Sequence, residues 1–203
     1  MRYTVVPVTP FQQNCTLLWC AQTGRGVVVD PGGEVERIDA AIKTCKITVE
    51  RILLTHGHFD HLGAVPGLVE RFRVPVYIHP GDAGLYASPL NCMPPWFSAV
   101  EGLPAPAVEL PTAAGLSLTV LPTPGHTPGG VCYYFAAEKV VFSGDTLFAG
   151  SVGRTDFPGG NVADLMASIR TVLFRLPDDT RVLAGHNSPT TIGTERTTNP
   201  FVR

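Results

Sequence analysis

Apolar positions along this 203-residue chain come in two kinds of block, short runs and helically spaced sets, alternating with each other. Runs rich in Val, Ile and Leu predict strands over Tyr3–Val8, Asn14–Cys20 and Gly26–Asp30. The first two are joined by a turn containing Pro10, and Pro31-Gly32-Gly33 stops the third. The period then lengthens. Val35, Ile38, Ala41 and Ile42 predict a helix over Glu34–Lys46, with Glu34 and Glu36 at its amino end, where the helix dipole favours carboxylates. A strand at Ile52–Thr55 and a helix over Leu62–Phe72 follow, with Pro66 in the first turns of that helix, where proline is tolerated. Val74–His79 reads as the next strand.

The second half echoes the first. It offers a strand at Leu116–Leu121, a hairpin of Val131–Ala137 with Lys139–Ser143, a helix over Ala163–Leu176 and a strand at Arg181–Ala184. Leu165, Ile169, Val172, Leu173 and Leu176 form the inward face of that helix. Between the halves, Pro80–Pro111 carries Pro89, Pro94, Pro95, Pro104 and Pro106 and the apolar group Met93, Trp96 and Phe97. It is expected to be irregular. Long irregular segments in compact domains often carry function, here as a pocket cover or an oligomer contact.

Strands alternating with helices predict an α/β fold, and the length suits one domain spanning 1–203. A net charge of −2 and a pI near 6.3 exclude the basic footprint that nucleic acid or an anionic membrane requires. No apolar run is long enough to span a bilayer, and the start lacks the core of a signal peptide. Five cysteines, an odd number without a Cys-x-x-Cys pair, point to reduced thiols and a cytoplasmic protein.

The chemistry is concentrated in His56-Gly57-His58-Phe59-Asp60-His61, which lies between a strand and a helix, at the strand's carboxyl end. Packing gives no reason to gather three imidazoles and a carboxylate there. Side chains two apart share a face in extended chain, so His56 and His58 project together. Asp60 and His61 are free to turn elsewhere, so one loop is able to serve two neighbouring metals. The missing ligands are sought at other strand ends: Gly125-His126, Gly144-Asp145 and Gly185-His186. Imidazole and carboxylate suit zinc, with iron or manganese also accommodated. His79, before Pro80, reads as structural or surface.

Four motifs in order, Thr55-His-Gly-His-Phe-Asp-His61, Pro124-Gly-His-Thr-Pro-Gly129, Ser143-Gly-Asp145 and Gly185-His186, resemble the metallo-β-lactamase superfamily over essentially the whole chain. The resemblance implies an αββα four-layer sandwich of two similar halves. It assigns His56, His58 and His126 to one divalent metal, Asp60, His61 and His186 to a second, and Asp145 to both. Asp60 and Asp145 would be the catalytic carboxylates, acting with a hydroxide held between the metals. Asp30 and Thr55 resemble residues that orient the ligands from behind.

Within that superfamily the chain looks most like the short glyoxalase II-like group, through Ser151–Gly160 and the tail Thr190–Phe201. The implied activity is hydrolysis of a small-molecule thioester, S-lactoylglutathione or a related hydroxyacyl thioester. Asp145 stands where the main zinc β-lactamases have cysteine. Arg154 falls where longer relatives contact the thiol's carboxylate; a salt bridge to Asp156 is the alternative reading of it. Gly153-Arg-Thr-Asp-Phe157 also resembles persulfide dioxygenases, which use a single iron, and a lactonase or other promiscuous hydrolase is a further alternative. The glutathione-binding helices of glyoxalase II have no counterpart in the short tail after His186, and oligomeric state is left open.

Overall fold

The computed structural model describes residues 1–107 and 115–202. The last residues of the Pro80–Pro111 segment therefore lie outside the described residues. In the first half β1 (Arg2–Val8), β2 (Gln13–Trp19), β3 (Arg25–Val29), β4 (Thr48–Leu53) and β5 (Val76–Tyr77) form one sheet in sequence order. Helices α1 (Val35–Cys45) and α2 (Val65–Phe72) separate its later strands, and a short α3 (Ala83–Tyr86) follows β5.

The second half contributes β6 (Thr119–Pro122), β7 (Val131–Phe135) and β8 (Val140–Gly144), then a small hairpin of β9 (Leu147–Phe148) with β10 (Ser151–Val152). After these come α4 (Val162–Thr171), β11 (Arg181–Ala184), β12 (Thr190–Thr191) and α5 (Ile192–Thr198). The second sheet runs β12-β11-β8-β7-β6.

Both sheets are buried on both faces, which is why their strands read as nearly unbroken apolar runs. The period of two divides each run between two cores. Leu18, Val27, Val29 and Leu53 face Val131, Tyr133, Phe142 and Leu183 between the sheets. Their neighbours Leu17, Val28 and Ile52 pack outward against Ile38 and Ile42 of α1 and Leu68 of α2. On the far side Cys132, Val141 and Val182 meet Leu165 and Ile169 of α4 and Ile192 of α5. The result is the expected four-layer αββα sandwich.

Several expected elements are shorter than their apolar runs. The helix over 62–72 begins only at Val65 with Pro66 in its first turn, because a 3-10 turn at Phe59–His61 takes up the ligand loop. The strand over 74–79 reduces to Val76–Tyr77, and the helix over 163–176 changes to a 3-10 turn at Leu173–Arg175. Among the described residues, no helix is long and apolar enough to cross a membrane.

Topology places the site. Strands β3, β4 and β5 run parallel, as do β8 and β11, so their carboxyl ends share one edge of the sandwich. Strand β7 is antiparallel to β8, so the loop before β7 reaches that same edge. Backbone bonds close the two halves together there: Val131 N–H donates to the Thr55 carbonyl (2.8 Å) and Asn14 N–H to the Gly185 carbonyl (2.7 Å).

Candidate metal centre

Every residue assigned to a metal from the motifs arrives at this one edge. His56, His58, Asp60 and His61 follow β4, His126 precedes β7, Asp145 follows β8, and His186 follows β11. The ligand atoms of His56, His58 and His126 lie within 4.8 Å of one another, and so do those of Asp60, His61 and His186. Asp145 stands between the two triads. Its Oδ1 is 3.4 Å from His61 Nε2, and its Oδ2 is 3.6 Å from His186 Nε2 and 3.8 Å from His126 Nε2. His58 Nδ1 and His126 Nε2 converge to 2.8 Å.

The outer ring nitrogens are committed elsewhere, and this decides which nitrogen is free. His126 Nδ1 is 2.7 Å from the Arg154 carbonyl, and His186 Nδ1 is 3.2 Å from that of Phe11. A carbonyl only accepts, so Nδ1 carries the proton and Nε2 keeps its lone pair. His61 Nδ1 is 3.1 Å from Asp30 Oδ2, and Gln13 Nε2 lies 3.5 Å away. Asp30 also accepts from the Thr55 N–H (2.7 Å) and the Thr55 hydroxyl (2.6 Å), while that hydroxyl is 3.1 Å from His56 Nδ1. Asp30 follows β3 with a φ of 48°, and its carboxylate faces His61 and Thr55.

Asp30→Asn should lower metal affinity roughly ten- to hundredfold, the usual effect of losing a carboxylate behind a ligand histidine. Metal titration calorimetry reads this out; unchanged affinity would remove Asp30 from the site.

The cluster has the signature of a cation site. His56 Nε2, His61 Nε2 and Asp145 Oδ1 are buried without a hydrogen-bond partner among the described residues. Each such orphan costs about 1–3 kcal/mol in a dry interior, and a bound cation satisfies them together. Burial and the neighbouring imidazoles hold His56 well below the usual histidine range, and burial with His126 lowers His58 to about 3. Both stay neutral at physiological pH, as ligands must. Burial opposes ionisation of Asp145, yet His61, His186 and His126 outweigh it and hold the carboxyl low. Burial alone would depress His61, but Asp145, Asp30 and Asp60 raise it well above its ordinary value. The charges pull toward the gap between the triads.

Glycine at 185 is a packing requirement. A Cβ there would sit 2.3 Å from Asp145 Oδ1 and 2.7 Å from His61 Cε1. The Gly-His pattern thus lets β11 run close under two ligands from other strands.

Sequence reading missed the residues that lock the loops together. Asp82, fully buried, accepts from Gly57 N–H (2.9 Å), the Thr127 hydroxyl (2.7 Å) and Gly129 N–H (2.5 Å). It clasps the His56–His61 loop to the His126 loop. Asn91 accepts from Phe59 N–H (3.0 Å) and donates to the Gly57 carbonyl (2.6 Å). Neither lies in a recognisable pattern, because their partners, mostly backbone groups, are distant in sequence. His79 caps the 3-10 turn at Pro80–Asp82 by accepting from Gly81 N–H, a structural role.

Arg154 places its guanidinium on Asp156, with two contacts of 2.7 Å, and over the Phe157 ring at 4.1 Å. Asn199 and Glu195 of the tail brace the same loop through the Ser151 carbonyl and Gly150 N–H. The 80–107 stretch forms one wall of a cavity of about 200 Å³ that His58 lines directly.

Comparison with known proteins agrees with this geometry. The family model described as the metallo-beta-lactamase superfamily matches residues 8–186. The chain is 39% identical to hydroxyacylglutathione hydrolase GloC of Haemophilus influenzae, over 100% of this chain and 98% of that one. Among solved structures, it resembles BLEG-1 B3 metallo-beta-lactamase (TM-score 0.89, 38% identity, 99% of each chain). It also resembles TTHA1623 in a di-iron-bound form (TM-score 0.88, 43% identity, 98% of this chain and 99% of that one). With the motifs in order, the triads assembled and the match running nearly end to end, the chain belongs to the metallo-beta-lactamase superfamily of metal-dependent hydrolases.

Proposed function

We propose that this protein is a cytoplasmic metal-dependent hydrolase of hydroxyacyl thioesters, with S-lactoylglutathione the first substrate to test. The observation that carries the reading is the position of Asp145, within 3.4–3.8 Å of histidines from both triads. A carboxylate shared in this way suits a pair of cations, the arrangement used for hydrolysis, better than a lone iron. The di-iron form of TTHA1623 and the name of GloC, both similar along their full length, support the same choice.

In this reading His56, His58 and His126 would hold one ion and Asp60, His61 and His186 the other, with Asp145 placed beside both triads. Zinc is the first expectation, with iron or manganese also suited. Ions bound there polarise a carbonyl and lower the pKa of coordinated water from about 15.7 toward 7. The chain's own residues present the lone pairs: Asp30 and the Arg154 carbonyl hold His61 and His126 by their outer nitrogens. Asp60 is drawn below the ordinary carboxyl range by His61 and His186 in spite of burial, so it and Asp145 stay ionised at neutral pH and offer carboxylate oxygens to a cation. The buried thiols are not nucleophiles, since burial pushes Cys132 up to about 11 and raises Cys15 as well.

The test is metal content measured together with thiol release from S-lactoylglutathione under anaerobic conditions. Two metals per chain and oxygen-independent hydrolysis are expected. One iron per chain with oxygen uptake on glutathione persulfide would establish the dioxygenase instead. Turnover confined to lactones would leave only the broader hydrolase assignment.

A further inference from the structure

The cavity beside His58 has a character of its own. Its walls are mostly apolar, from Phe59, Leu85, Phe157 and Pro158, and its polar members are already engaged. Asn91 spends its amide on Phe59 N–H and the Gly57 carbonyl, and the Ser88 hydroxyl accepts from Leu90 N–H (3.2 Å). Among the described residues no carboxylate, lysine or arginine lines it. Arg154 is close by, but its guanidinium lies over Phe157 and pairs with Asp156. A charged group entering this space would lose its hydration without gaining a partner, a cost that excludes it.

Size and position narrow the occupant further. The volume of about 200 Å³ exceeds the roughly 150 Å³ in which a protein cavity accommodates benzene. The Phe157 ring meets the His58 ring edge-on, with centroids 5.4 Å apart, so the cavity opens directly at the first triad. A group attached to a carbonyl held at that triad reaches it within a bond or two. The methyl of a lactoyl group would leave most of it empty.

We propose that this cavity is the acyl side-chain pocket, and that the protein takes 2-hydroxyacyl thioesters whose side chain is an aliphatic or aromatic group of about six carbons. This rests on the thioester-hydrolase reading above. Phe157 and Leu85 set the width, and the ion pair of Arg154 with Asp156 keeps Phe157 in place as the wall.

The experiment is a kcat/KM series on glutathione thioesters with methyl, propyl and phenyl side chains on the 2-hydroxyacyl group. Each methylene buried in such a pocket is worth up to about fourfold. The phenyl substrate is therefore expected to exceed the methyl one by about tenfold or more. In Cys92→Phe, which fills the pocket from one wall, the phenyl-to-methyl ratio should fall at least about tenfold. A flat or falling series in the wild-type protein overturns the proposal.

If no thioester is hydrolysed, the functional reading fails on its own. The pocket is then judged by whether benzyl alcohol slows iodoacetamide modification of Cys92 relative to Cys20, followed by peptide mass spectrometry. Selective protection of Cys92 upholds an apolar binding pocket; a Cys92-to-Cys20 rate ratio unchanged by benzyl alcohol overturns it.

Discussion

Asp145→Ala is expected to lower kcat by on the order of a thousandfold and to strip the protein of most of its bound metal, read by steady-state kinetics with elemental analysis. Asp145 stands beside both triads, near His61 and His186 of one and His126 of the other. Metal ions contribute several kcal/mol to such reactions, so in the proposed assignment losing a carboxylate shared by both sites costs a comparable amount. Its removal also takes away the carboxylate that contributes most to raising His61. The contrast is Arg154→Ala. That ion pair is exposed and screened by solvent, so a rise of KM by severalfold, with kcat nearly kept, is expected. Equal losses of kcat in the two variants would overturn the roles proposed for both residues.

Asp82→Ala should cost about 3–5 kcal/mol of stability and weaken metal binding, although Asp82 is assigned to neither metal. The substitution orphans two backbone N–H groups and a hydroxyl in a dry setting, each worth about 1–3 kcal/mol. For a chain of this length each kcal/mol moves Tm by about 2–4 °C, so a fall of roughly 10 °C is expected by calorimetry. An unchanged Tm would show that the clasp between the two ligand loops is dispensable.

The cluster of candidate ligands was legible in the chain because metal chemistry demands specific side chains, and four of them fall within six positions of one loop. His126, Asp145 and His186 could be matched to it through their motifs, each preceded by glycine. The sandwich was legible because strands buried on both faces leave unbroken apolar runs, as Val27-Val28-Val29 does by dividing between two cores.

What needed the tertiary structure was everything carried by one-to-one contacts across long separations. Asp82 and Asn91 recognise mostly backbone groups, which leave no trace in residue type. Arg154 offered two partners on paper, and the fold gives it Asp156 and Phe157. The same holds for the length of the ligand helix: period alone extends it back to Leu62, while the 3-10 turn that aims Asp60 and His61 at the second triad shortens it. Chemistry is local in sequence when one loop supplies it, so the chain alone determined that this protein binds metal at a strand edge. The shape beside His58, which selects what is bound there, arises from residues 59, 85 and 157 meeting in space, and only the folded chain decided it.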